Sequence, residues 1–151
     1  PDRVLSLTMS ATGGGIVNPN PTPALKNLTA TEDGNSRGVL ATMSALSAKK
    51  PELLQSYESI NNFNVNFSWS RLGTLLSKED VVQLEQLASV QVPSLFVAGA
   101  EDPLFPAELL TSYVPHFPRA EIEVVANAGH SPYFEQPEIF NQRLLQHIRS
   151  I

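Results

Sequence analysis

The chain contains no cysteine, so disulfides, thiolate metal sites and a cysteine nucleophile are excluded. Basic residues are few and scattered: ten Lys and Arg stand against fifteen Asp and Glu, a net charge of −5 at pH 7. Nucleic acid and anionic membrane surfaces are bound through clustered positive charge, and that footprint is missing. No apolar run approaches the ~20 residues that span a bilayer, and the first residues lack the basic-then-apolar pattern of a secretory signal. The expectations are no nucleic acid, no membrane, a cytoplasmic location by default, and a small molecule or protein as partner. Only 17% of the residues are charged and 42% are hydrophobic, enough to bury a core within one domain of 151 residues.

Apolar patterning supplies the elements. Val4 to Met9 alternates apolar residues with Ser and Thr and reads as a strand with one buried face. Ala11-Thr-Gly-Gly-Gly15 ends it, and Asn18-Pro-Asn-Pro-Thr-Pro23 cannot continue a regular element. From about Ser36 to Ala88 the spacing turns helical, with Val39, Leu40, Met43 and Leu46 and then Leu53, Leu54, Tyr57 and Ile60 recurring every three or four residues. Val92 to Ala98 is almost wholly apolar, the mark of a strand covered on both faces. A helix led by Pro106 runs to Val114, and Glu121 to Ala126 forms another strand. The last helix, Pro137 to Ile148, puts Phe140, Leu144 and Ile148 on an apolar face, with Arg143 and His147 elsewhere. Strand, helical insertion, strand, helix, strand, helix is the order of an α/β fold with a parallel sheet.

Two exit loops carry chemistry. Asp102 follows the glycine that closes one buried strand, Gly99, and His130 follows the next strand in Ala128-Gly129-His130. Parallel strands joined by a helical crossover release their exit loops along one sheet edge, the edge where α/β proteins bind ligands. A carboxylate and an imidazole meeting there form the acid and base of a nucleophile-His-Asp triad. The imidazole takes the proton of a weak hydroxyl nucleophile, and the carboxylate holds its tautomer. Gly129 is expected to free the backbone so that the ring turns inward. The nucleophile itself has no convincing candidate in the chain.

These residues resemble the α/β-hydrolase superfamily. Gly99, Asp102 and Pro106 match its acid-bearing pattern, and Gly129-His130-Ser-Pro-Tyr-Phe-Glu135-Gln-Pro137-Glu138 matches its histidine motif with the terminal helix that follows. Pro1-Asp-Arg-Val-Leu-Ser-Leu resembles the lead-in to the family's sixth strand. The resemblance implies a partial parallel sheet with a helical cap insertion, divided as residues 1–15 (core strand and exit loop), 16–90 (cap or lid) and 91–151 (core carrying acid and histidine). It further implies that the first five strands, the oxyanion-hole loop and the nucleophile elbow lie upstream of Pro1, so that the missing N-terminal half is a partner and this portion alone is inactive. The glycine run and cap resemble the branch that hydrolyses carbon–carbon bonds, although Ser10-Ala-Thr-Gly-Gly-Gly15 replaces that branch's Gly-Pro-Gly-Gly.

Several patterns compete. Gly34-Asn-Ser36-Arg-Gly38 matches Gly-x-Ser-x-Gly as a string, but the preceding Ala30-Thr-Glu-Asp33 is polar, and a nucleophile elbow needs a buried strand there. Ser36 reads better as a helix N-cap. Gly13-Gly-Gly15 lacks the Lys-Ser/Thr ending of a phosphate loop. Phe63, Phe67 and Trp69 could line a pocket but read as packing, as does Tyr57, which would polarise the substrate of an epoxide hydrolase. His116 and His147 read as solvent-facing, and Glu101 is a rival to Asp102 for the acid role. Asp102 and His130 supply only two ligands, short of a metal site, so neither metal nor cofactor is expected. The leading reading is a hydrolase of an ester or related carbonyl bond, carbon–carbon bonds included. The alternatives are a binding module that keeps the fold without catalysis, and a dehalogenase or epoxide hydrolase with an aspartate nucleophile. An exposed sheet edge left by the absent fifth strand would favour homo-oligomers.

Overall fold

The computed structural model describes residues 3–30, 42–63 and 81–151. Its centre is a parallel sheet of β1 (Leu7–Ser10), β2 (Ser94–Gly99) and β3 (Ala120–Val125), in that spatial order. Leu7 pairs with Ser94 and Ser10 with Val97; Ser94 pairs in turn with Ala120 and Gly99 with Val125. The chain thus has the expected α/β architecture.

Every residue of β2 is buried, which explains its unbroken apolar sequence. Strand alternation sends Phe96 and Ala98 to one face, where they join Met9, Ile16, Leu87, Leu110, Tyr113 and Phe117. Leu95 and Val97 go to the other face, with Val125, Ala128 and the partly buried Phe140. Full burial of a large apolar side chain stabilises by roughly 1.5–3 kcal/mol, so β2 is the element least tolerant of truncation.

The helices frame this sheet. α1 (Pro23–Ala30) begins earlier than the helical spacing predicts, directly after the proline-rich stretch. Proline suits a first helical turn because its missing N–H would have no partner there, and Thr22 Oγ1 accepts the Leu25 N–H at 3.1 Å. α2 (Pro51–Asn61) carries Leu53, Leu54, Tyr57 and Ile60 as expected. Met43 and Leu46 are not in an α-helix: the chain turns at 42–46 and forms a single 3-10 turn, Ser47–Lys49. Val39 and Leu40 lie outside the described residues. Phe63 is largely exposed rather than packed, and Phe67 and Trp69 lie outside the described residues.

α3 (Ala107–Tyr113) buries Leu110 and Tyr113 against β2, and α4 (Pro132–Glu135) is a single turn beyond the histidine loop. α5 (Pro137–Arg149) corrects the expected orientation: His147 is 1% exposed, whereas Ile148 is 51% exposed. The cause lies in β3, which turns Glu121 and Glu123 toward this helix. A helix packed over two carboxylates turns its Arg143 and His147 side toward them. Arg143 Nη2 lies 2.6 Å from Glu121 Oε2, Arg143 Nε 3.6 Å from Glu123 Oε2, and His147 Nδ1 3.5 Å from Glu121 Oε1. The Arg143 hydrogen bond holds the Glu121 carboxyl below its ordinary range. His116 is exposed at the end of a 3-10 turn, as its sequence position suggested.

Candidate active site

β2 and β3 end side by side, and the loops that leave them interlock. Ala100 N–H donates to Val125 O at 3.0 Å and Glu101 N–H to Ala128 O at 2.9 Å, so the acid loop is tied to the histidine loop before either side chain is considered. Asp102 N–H turns back to Gly99 O, which tucks the aspartate beneath the strand end. The residue is 4% exposed.

A buried carboxylate needs donors for its lone pairs, and Asp102 has three. Oδ1 accepts the N–H groups of Leu104 at 2.8 Å and Phe105 at 3.2 Å; Oδ2 faces His130 Nδ1 at 3.0 Å. Since a carboxylate only accepts, Nδ1 carries the imidazole proton and the lone pair resides on Nε2. Nε2 has no hydrogen-bond partner among the described residues, and the side chain is 27% exposed. Phe105 stacks on the ring with centroids 5.9 Å apart and planes at 23°. The arrangement leaves an oriented imidazole with one free basic nitrogen.

The rival acid is accounted for elsewhere. Glu101 Oε2 accepts the Ala45 N–H at 2.7 Å, whereas the carboxylate that faces His130 Nδ1 is that of Asp102. Ser36 lies outside the described residues. Among the described residues, no three His, Asp or Glu side chains gather as a metal site would require. No described helix is long and apolar enough to cross a membrane.

Gly129 has a different reason from the expected one. Among the described glycines only Gly14 and Gly15 adopt positive φ, so Gly129 is not required for left-handed backbone. It is required for space: a Cβ there would overlap Thr42 O and crowd Met43 and Ser44. The 42–45 segment lies directly over the histidine loop, and His130 N–H donates to Thr42 O at 2.8 Å.

Two further residues were not singled out as functional by their spacing. Tyr57, on α2, places its hydroxyl 2.6 Å from Ser131 Oγ and its ring against Phe134, so it meets the histidine loop rather than a generic core. Burial pushes its phenol above the ordinary value. Glu135, quoted above only as part of a motif, is 4% exposed and accepts backbone N–H groups from both Gly129 and Ser44. An acid inside an otherwise apolar and proline-flanked stretch, Ser131-Pro-Tyr-Phe-Glu135-Gln-Pro137, was the available signal.

The fold has known counterparts. A family model described as alpha/beta hydrolase fold matches residues 3–137, and the chain belongs to that family. It is similar to a thermophilic esterase from Thermogutta terrifontis, with a TM-score of 0.75 and 20% identity over 99% of this chain and 57% of that one. It is also similar to the 2-hydroxy-6-oxo-6-phenylhexa-2,4-dienoate hydrolase BphD of Rhodococcus sp. strain RHA1, with a TM-score of 0.70 and 16% identity over 95% of this chain and 55% of that one. Over 63 residues it is 32% identical to the "Probable aminopeptidase YbaC" of Bacillus subtilis (strain 168), which is 40% of this chain and 20% of that protein. The chain therefore spans little more than half the length of these solved structures and a fifth of this curated relative.

Proposed function

We propose that the full-length protein is an α/β-hydrolase cleaving an ester or related carbonyl bond, with His130 as general base and then acid and Asp102 as the group that orients it. The observation that carries this reading is the 3.0 Å contact between His130 Nδ1 and Asp102 Oδ2, with Nε2 left free. A hydroxyl nucleophile, serine in this reading, is supplied upstream of Pro1. It attacks the carbonyl carbon as Nε2 takes its proton; the imidazolium returns that proton to the leaving group, and water then repeats the cycle on the acyl-enzyme. A strand of the upstream half docks on the edge of β1, which among the described residues pairs only with β2. The lid over the pair falls within residues 16–90, whose two ends, at Ile16 and Leu87, pack in the core against β2, and the substrate is a small molecule held beneath it.

Esterase names among the similar structures support an ester. The similarity to the Rhodococcus hydrolase supports testing a ring-cleavage product as a second substrate class. The Tyr57 hydroxyl is already paired with Ser131, which disfavours the epoxide-hydrolase reading that would use it on substrate. The test is turnover of short p-nitrophenyl esters by the full-length protein and its His130→Ala variant. Loss of at least about 1,000-fold in kcat is expected on removing the base; undiminished turnover in the variant would end the assignment.

A further inference from the structure

Three consecutive backbone N–H groups, those of Gly129, His130 and Ser131, are each fixed by a partner, and two of them by a single atom. Glu135 Oε1 accepts the Gly129 N–H at 2.9 Å and the Ser131 N–H at 3.3 Å, the residues on either side of the histidine. Glu135 Oε2 accepts the Ser44 N–H at 2.8 Å. Ser44 lies two positions beyond Thr42, whose carbonyl receives the His130 N–H at 2.8 Å. The contacts close a ring: one carboxylate holds the flanks of His130 and also holds in place the segment that accepts the histidine's own N–H.

We propose that Glu135 is a positioning residue for His130, fixing the backbone from which the imidazole projects while Asp102 fixes its far end. The proposal rests on reading His130 as the general base. Only a carboxylate suits the place. It accepts at both oxygens, whereas glutamine would turn an NH2 group toward donor N–H groups and leave at least one of them unpaired. Among the described residues no cation pairs with Glu135, so its charge is met by these backbone dipoles, and charge-assisted bonds of this kind are stronger and more directional than neutral ones. Glu101 fastens the adjacent Ala45, so the acid loop leans on the same segment.

The test uses the full-length protein with Glu135→Gln and Glu135→Asp, measuring kcat and KM on a p-nitrophenyl ester and, independently of turnover, the downfield proton resonance of the His130 Nδ1–H···Asp102 bond, assigned by its loss in His130→Ala. Displacing a catalytic group by a fraction of an ångström to 1 Å costs up to about 100-fold in rate. Glu135→Gln is therefore expected to lower kcat by about 10- to 100-fold with KM within about threefold, and to broaden or shift the resonance; Glu135→Asp should recover part of both. A folded Glu135→Gln protein with kcat within about twofold of wild type and an unchanged resonance overturns the proposal, whatever its melting temperature. Should that variant not fold, Glu135→Asp is judged by the same two readouts. A wild-type protein that shows the resonance but turns over no ester refutes the hydrolase reading alone, and the resonance then decides the role of Glu135.

Discussion

Gly99 and Gly129 meet backbone against backbone: a methyl group on Gly99 would overlap the Gly129 carbonyl oxygen and press on Ala128 O. The strand end that leads to Asp102 is thus in direct contact with the residue before His130. Gly99→Ala must push the two loops apart. Overpacking of this kind destabilises by about 1–3 kcal/mol, and the fold should survive it with a lower denaturation midpoint. Ester turnover should fall far more than stability does, because the displacement separates the two groups whose contact the proposed mechanism requires. A variant with wild-type turnover would show that the loops can give way without parting the pair.

Asp102→Asn is expected to preserve the fold and remove the base. The asparagine oxygen would serve the Leu104 and Phe105 N–H groups, which leaves its NH2 facing Nδ1. An imidazole opposite a donor carries its proton on Nε2 instead, the wrong tautomer for accepting one. The loss in kcat should be about 10,000-fold with a nearly unchanged melting curve. Comparing the two measurements in one preparation decides the matter.

The Glu121 and Arg143 pair sets an acid dependence. Its carboxyl is held below its ordinary value, principally by the Arg143 hydrogen bond, so the folded state binds this proton less readily than the unfolded chain does. The stabilisation is complete above the unfolded value of about 4.3 and is lost as pH falls through the lower folded value. Glu121 is half exposed, so solvent screening keeps the effect small. In urea titrations between pH 3 and about 6, Glu121→Gln should flatten the slope of stability against pH relative to wild type; identical slopes would remove this pair from the acid response.

Tyr57 supplies the opposite sign. Burial raises its phenol, so the associated stability is present below the ordinary value of about 10 and declines as pH rises through the folded value. In an alkaline ultraviolet titration, Tyr57→Phe should lose a late-ionising component relative to wild type. Removing the hydroxyl also leaves Ser131 Oγ without this partner, at a cost of about 1 kcal/mol in stability. A titration difference confined to the ordinary range would mean that the phenol is hydrated in solution.

Local pattern carried much of the architecture. The apolar run of β2, the glycine that closes it and the spacing to Asp102 and His130 each depend on a few neighbouring residues, and their meeting follows from parallel topology. What escaped was decided by distant partners. His147 looks like a polar-face residue until β3 is seen to present Glu121 and Glu123 beneath it, and its ring is then buried with neither nitrogen in a hydrogen bond among the described residues. Met43 and Leu46 carry helical spacing, yet the N–H groups of Ser44 and Ala45 are drawn to Glu135 and Glu101 from 91 and 56 positions away. Gly129 was legible as necessary, but its reason, the crossing of Thr42, lies far along the chain. Glu135 stood in plain view within its motif; no periodicity assigns three backbone donors to one side chain.

The tetrapeptide Thr42–Ala45 has a practical bearing on recombination between relatives. By sequence it falls in the stretch expected to be an insertion, yet its bonds tie it to the loops that carry His130 and Asp102. A chimera that imports a foreign insertion whole would discard this splint with it, and a crossover placed after Ala45 would retain it. If the insertion is the lid of the proposed hydrolase, exchanging specificity between such proteins would depend on where the graft is cut as much as on what it contains.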